Sequence, residues 1–149
     1  MSFTKIKNDP YIIECYKVAD DPNSNDGFWV YHGLKHIEAV IDMAQKIGIQ
    51  LGKTQEFIEN LKIAALLHDV GYGGVKKDHE LRSYEMAKEY FFKNKIDLKY
   101  KEEILDAIKH HRNSFDTGNE MSIILILADK LDIQRSRLTP EGYNIVGLR

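Results

Sequence analysis

Apolar residues recur along this chain at three- and four-residue intervals, the spacing of helices that bury one face. Asn8-Asp9-Pro10 makes a helix start, with proline just inside it, and leads into Tyr11-Ile12-Ile13-Glu14-Cys15-Tyr16-Lys17-Val18. Asp20 to Gly27 is rich in Asp, Asn and Ser and is expected to be a loop. From about Tyr31, the positions Leu34, Ile37, Val40, Ile41 and Ala44 follow helical spacing up to Gly48. Thr54 is placed to cap the next helix, with Phe57, Ile58, Leu61, Ala64, Ala65 and Leu67 on its buried side. Asp78 is expected to cap another from His79 to about Asn94, with Leu81, Tyr84, Ala87 and Phe91 inward. Lys99 to Arg112 gives a fifth, carrying Ile104, Leu105 and Ile108.

The last clear element runs from Met121 to Leu131. Its Ile-rich middle would suit a buried strand on propensity alone. Its length and its helical context favour a helix buried on most sides. The tail from Leu138 to Arg149 contains Pro140 and two glycines and is assigned no element. The predicted fold class is all-α: a compact single-domain bundle of about six helices over residues 1–149, with no repeat or linker.

At 149 residues, with 43% hydrophobic and 30% charged residues, the chain can bury a real core. A net charge of -2 gives no reason to expect nucleic acid as an obligate partner. Cys15 stands alone, which excludes an internal disulfide and fits a reducing compartment. No apolar run approaches the roughly 20 residues that span a membrane, and the N-terminus lacks a signal-peptide core. The expectation is a cytoplasmic protein without a membrane partner. A homodimer through an exposed helix face is compatible with the pattern.

The histidines change the picture. There are six, His32, His36, His68, His79, His110 and His111, and each could join the adjacent pair His68-Asp69 in one cluster. A His-Asp pair carries little weight by itself, since shuffling this composition yields one in roughly every second or third trial. The ordered set His36, His68-Asp69, His79, His110 and Asp129 is far harder to obtain by accident. Imidazole and carboxylate are the usual ligands of borderline divalent metals, and a helical bundle can bring scattered ligands together. His36 shares the phase of Val40 and should point inward. Asp129 interrupts the most hydrophobic run of the chain, where a carboxylate is expensive without a cationic partner. His110 and His111 cannot both face inward, being about 100° apart around a helix. His110 is taken as the inward one, with His111 a second candidate.

The order His36, His68-Asp69, Asp129 resembles the HD-domain superfamily of metal-dependent phosphohydrolases, an all-α fold, over about residues 31–132. Ala64-Ala65-Leu66-Leu67-His68-Asp69-Val70-Gly71 is similar to that family's central helix, and Ala128-Asp129-Lys130-Leu131-Asp132 to its last ligand helix. His79-Glu80-Leu81-Arg82-Ser83 and Ile108-Lys109-His110-His111 are similar to the intermediate blocks of members that hold two metals. The resemblance implies that His36, His68, Asp69 and Asp129 bind a first metal. Asp69 would bridge, with His79 and His110 on a second. Tyr72 follows Gly71 where the cyclic-di-nucleotide phosphodiesterase branch carries lysine, which disfavours that branch. Tyr31-His32-Gly33-Leu34-Lys35-His36 is similar to the first-ligand motif of cyclic-nucleotide phosphodiesterases, whose earlier histidine donates a proton to the leaving group.

The expected activity is metal-dependent hydrolysis of a nucleotide or other small phosphoester, as a phosphomonoesterase, phosphodiesterase or nucleotide pyrophosphohydrolase. Water beside Asp69 attacks phosphorus, and His32 or His111 protonates the leaving group. Lys76, Lys77, Arg82, Lys130 and Arg135 are the nearest basic residues for gripping phosphate, with Lys76, Arg82, Lys130 and Arg135 the substrate-binding candidates. The cofactor would be one or two divalent ions among Mn, Fe, Ni, Co, Zn and Mg. Two rival readings remain: a di-iron oxygenase on the same fold, and a non-catalytic module that binds a metal or nucleotide.

Overall fold

Side-chain caps set several helix starts in the computed structural model, which describes residues 2–21, 32–112 and 119–132. The Ser2 hydroxyl accepts from the Lys5 N–H and starts α1 (Phe3–Lys7). The Asp9 carboxylate accepts from the Tyr11 N–H ahead of α2 (Pro10–Ala19), where Pro10 has no N–H to leave unpaired. α3 (Leu34–Gln50) follows Gly33. Thr54 caps α4 (Gln55–Leu67) through the Phe57 N–H, as its place in the sequence suggested. α5 (His79–Lys93) and α6 (Lys101–His110) come next. Asn119 caps α7 (Glu120–Lys130) through the Met121 N–H.

The described residues thus hold seven helices and no strand. The helix beyond the expected six is α1, whose 5 residues are too few to show a repeating apolar face. The Ile-rich segment near the C-terminus is helical and buries Met121, Ser122, Ile124, Leu125, Ile126 and Ala128.

Two expectations for α5 need correction. Asp78 precedes it but sits in the left-handed region at φ 56, and its side chain makes no capping bond. Leu81 is exposed, because the buried stripe of α5 is His79, Ser83, Ala87, Tyr90 and Phe91. Two residues from either His79 or Ser83 is about 200° around the helix, the opposite face.

α4 is the central element. It buries Ile58, Leu61 and every residue from Ile63 to Leu67, and it packs against α1, α3, α6 and α7. Each fully buried Leu or Ile contributes about 1.5–3 kcal/mol, so α4 anchors the fold. α5 joins through α6, and α2 packs on α1 and α3. The Tyr16 hydroxyl of α2 reaches across to donate to the Leu66 carbonyl near the end of α4. No helix among the described residues is long and apolar enough to cross a membrane. Arg135, the tail at 138–149 and most of the loops at 20–27 and 115–120 lie outside the described residues.

Candidate metal centre

Five helix ends meet around one carboxylate. Asp69, one residue past the cap of α4, is buried, and its two oxygens face different groups. Oδ2 lies 2.8 Å from His32 Nδ1, 3.6 Å from His36 Nε2 and 3.5 Å from His68 Nε2. Oδ1 lies 3.2 Å from the Nε2 atoms of both His79 and His111. Those two nitrogens are also 3.2 Å from each other. Asp129, in the last turn of α7, brings Oδ1 within 3.0 Å of His36 Nε2 and 3.5 Å of His68 Nε2.

The tautomers follow from what the other ring nitrogens do. His68 Nδ1 bonds to the Ala65 carbonyl, His79 Nδ1 to Lys76 and His111 Nδ1 to Ile108, each at 2.7 Å and three residues back in the chain. A carbonyl only accepts, so Nδ1 carries the proton and the neutral ring presents a lone pair at Nε2. At the ends of α4 and α6 these bonds fall on carbonyls of the last helical turn. His36 is held differently, its Nδ1 lying 2.6 Å from Asp132 Oδ2. Four Nε2 lone pairs therefore converge on two carboxylates.

That arrangement repels itself unless positive charge lies among the ligands. His68 Nε2 and Asp69 Oδ1 are buried without a hydrogen-bond partner, which is costly for polar atoms. Burial alone would raise the Asp69 carboxyl, but His68, His32 and His111 hold it well below the ordinary 3.8. Burial works the same way on Asp129, and His36 and His68 likewise hold it down. Burial would lower His68, yet Asp69 and Asp129 push it from 6.5 up to about 9. Without a cation the site draws in protons; a divalent ion would satisfy the same atoms. Ligand atoms lie within 4.8 Å of one another in three groups: His32, His36 and Asp69; His36, His68 and Asp129; His68, Asp69 and His111. The donors fit one or two borderline divalent ions.

Outer residues hold the cluster in place. Asp20 Oδ1 accepts from the backbone N–H groups of His32 (3.1 Å) and Gly33 (2.8 Å), bracing the start of α3. A side chain at Gly33 would run into that carboxylate. Tyr72 stacks on the His32 ring with centroids 3.9 Å apart and planes 16° from parallel. Neither Asp20 nor Asp132 was among the candidates. Asp132 had a readable signal, lying three residues after Asp129 on the same helical face; Asp20 had none.

Of the residues singled out in the sequence, His32, His36, His68, Asp69, His79, His111 and Asp129 come together. His110 does not. It is partly exposed and faces Asp106, bonding its carbonyl at 2.9 Å and its carboxylate at 3.0 Å. His111, the buried one, continues the face of Ile104, Ala107 and Ile108 at the i, i+3, i+4, i+7 spacing. Its ring lies inside the cluster, against Asp69, His79 and His68, which also argues against its use as a proton donor at the rim.

Arg82 is not available to grip phosphate. Its guanidinium donates to the carbonyls of Gly71 (3.0 Å), Lys77 (2.5 Å), Tyr72 (3.4 Å) and Val75. Lys76 is exposed and lines a cleft of about 450 Å³ with Val75, Lys77, Asp78 and Arg112. Lys130 is exposed at the end of α7. Arg135 lies outside the described residues.

A model of the HD domain family matches residues 33–134, a span that begins beside His32 and takes in the other residues of the cluster. The chain is also similar to a crystal structure of a predicted HD superfamily hydrolase from an uncultured Thermotogales bacterium. That match has a TM-score of 0.63 and 27% identity, covering 87% of this chain and 67% of the other. It is 35% identical over 102 residues to the CRISPR system single-strand-specific deoxyribonuclease Cas10/Csm1 (subtype III-A) of Methanocaldococcus jannaschii. The latter match covers 62% of this chain and only 12% of that much longer protein.

Proposed function

This chain belongs to the HD domain family, and on that premise we propose that it is a metal-dependent phosphohydrolase acting on a nucleotide or another small phosphoester. The observation that carries the reading is the convergence of four imidazole lone pairs on the two oxygens of Asp69 and on Asp129. His36, His68, Asp69 and Asp129 would hold one ion; His79 and His111, in place of His110, would share Asp69 with a second. When bound, such ions neutralise the charge that builds on phosphoryl oxygens and acidify water.

The chain's own groups then divide the work. Asp69 orients the water that attacks phosphorus in line with the leaving oxygen. His32 is the proton donor: its Nδ1 is held by Asp69 Oδ2 at 2.8 Å, and Tyr72 fixes the ring plane. As the new P–O bond forms and the old one breaks, the proton on His32 Nε2 passes to the leaving oxygen while Nδ1 stays bonded to Asp69. Lys76 and Lys77, exposed along one cleft, supply cationic charge for phosphate oxygens. The cytoplasm is the compartment this reading assumes.

The test is turnover of nucleotides, bis-p-nitrophenyl phosphate and a single-stranded oligodeoxynucleotide, with Mn, Fe, Co, Ni, Zn or Mg and parallel metal analysis. Wild type should hydrolyse at least one phosphoester, and Asp69→Ala should lose more than 100-fold in rate together with bound metal. An Asp69→Ala protein with full metal content and full turnover would sink the mechanism. Metal-loaded wild type that hydrolyses no phosphoester would sink the function.

A further inference from the structure

Between Asp69 and His79 the chain runs through an unusual strap. Gly73 (φ 53), Gly74 (φ 84) and Asp78 (φ 56) all adopt left-handed backbone within six positions. Such a segment has no intrinsic reason to keep one shape, since glycine is permissive and the left-handed well is costly for Asp. Yet five of the seven carbonyls from Gly71 to Lys77 accept side-chain hydrogen bonds. Those of Gly71, Tyr72, Val75 and Lys77 accept from the single guanidinium of Arg82. The Lys76 carbonyl accepts from His79 Nδ1 at 2.7 Å and from Arg112 Nη1 at 3.4 Å. The Gly71 N–H donates to Ser83 Oγ at 2.9 Å, next to Arg82 in α5.

Resting on the two-ion reading above, we propose that Arg82 is the positioning residue of the second cation subsite. Its guanidinium sets the shape of the 71–77 strap, and so the distance from Asp69 Oδ1 to His79 Nε2. The chemistry suits arginine alone. Four carbonyls spread along seven residues need a planar fork with five donors, whereas a lysine ammonium offers three donors from one point. The Lys76 carbonyl that fixes the His79 tautomer lies inside the clamped segment, so loosening the strap frees the ring. The strap touches the cluster at His79, through the Lys76 carbonyl, and at His32, through the Tyr72 ring. Of these, only His79 donates a hydrogen bond to a strap carbonyl, so Arg82 acts foremost on the His79 subsite.

The experiment is metal stoichiometry and affinity by calorimetry and elemental analysis with Mn, on wild type, Arg82→Lys, Arg82→Gln and a His79→Ala reference. Wild type is expected to bind two ions. Both Arg82 variants should keep the first ion within about threefold and weaken the second by roughly 10- to 100-fold, approaching His79→Ala. An Arg82→Lys or Arg82→Gln protein that binds both ions as wild type does overturns the proposal. Equal weakening of both ions overturns it too, because that is the mark of a general structural role. Where Arg82→Gln lacks a cooperative thermal transition, Arg82→Lys decides; failure of Arg82→Lys to fold makes Arg82 a stability residue and overturns the proposal. Wild type that binds a single ion instead removes the two-ion reading itself, a different and separately visible result.

Discussion

His68, His79 and His111 share one local device, a ring Nδ1 bonded to the carbonyl three residues earlier. The device aims Nε2 away from the helix and toward Asp69, and it separates His111 from its neighbour. His110 also reaches back along its helix, but to Asp106 on the outer face. Hence His111→Ala should abolish tight binding of the second ion and lower turnover by at least 100-fold. His110→Ala should leave both within about twofold, its pair with Asp106 being a half-exposed contact of small energetic consequence. Metal titration and steady-state kinetics on the two variants check this, and reversed effects would return His110 to the site. The sequence contained the deciding signal at this scale: Ile104, Ala107, Ile108 and His111 lie on one helical face, and His110 lies off it. Asp132 was equally within reach. Asp20 was not, because its bond to the His32 and Gly33 amides depends on how a loop returns to the bundle.

The helices themselves were largely legible, because apolar spacing and cap residues are local. α4 is the clearest case, with Thr54 at its start and a buried face ending at the ligands. What spacing could not reveal is how closely the strap approaches α5. Gly71 marks that approach. A Cβ there would lie 2.4 Å from the Ser83 nitrogen and 2.6 Å from the Arg82 carbonyl carbon, and backbone cannot step aside as a flexible side chain can. Gly71→Ala should therefore destabilise the fold by about 1–3 kcal/mol through overpacking and open the contact between the strap and α5. Gly52 supplies the control. It has φ +69 but nothing within 4 Å of an added Cβ, so Gly52→Ala carries only the left-handed penalty of about 1–2 kcal/mol. Thermal unfolding without metal should place Gly71→Ala lowest in Tm, and second-ion affinity should fall in Gly71→Ala alone. A Gly52→Ala variant equally impaired in second-ion binding would break the link between this glycine and the site.

For the whole molecule, the site couples folding to pH in opposite senses with and without metal. Consider first the metal-free protein. His68 is raised in the fold from 6.5 to about 9 by Asp69 and Asp129, against the effect of burial. A raised folded value means this stabilisation is complete below about pH 6.5 and is lost as pH climbs toward 9. Asp69 and Asp129 are lowered by the imidazoles, so their stabilisation is present above the ordinary 3.8 and fades as pH falls below it. Metal-free stability should accordingly peak between about pH 4 and 6.5 and decline toward 9. A divalent ion reverses the upper limb. It needs the His68 lone pair and must displace the proton there, so its apparent affinity climbs with pH until His68 is neutral. Because the ion binds the folded state, its contribution to stability climbs in step. Thermal unfolding from pH 6 to 9 in EDTA and in saturating Mn checks this directly. The two Tm curves should diverge with pH, and ion binding near pH 7 should release protons measurable by calorimetry in buffers of different ionisation enthalpy. Parallel curves with no proton release would mean that His68 is not a ligand, and Asp69 and Asp129 would then hold its proton as an ion pair at every pH tested.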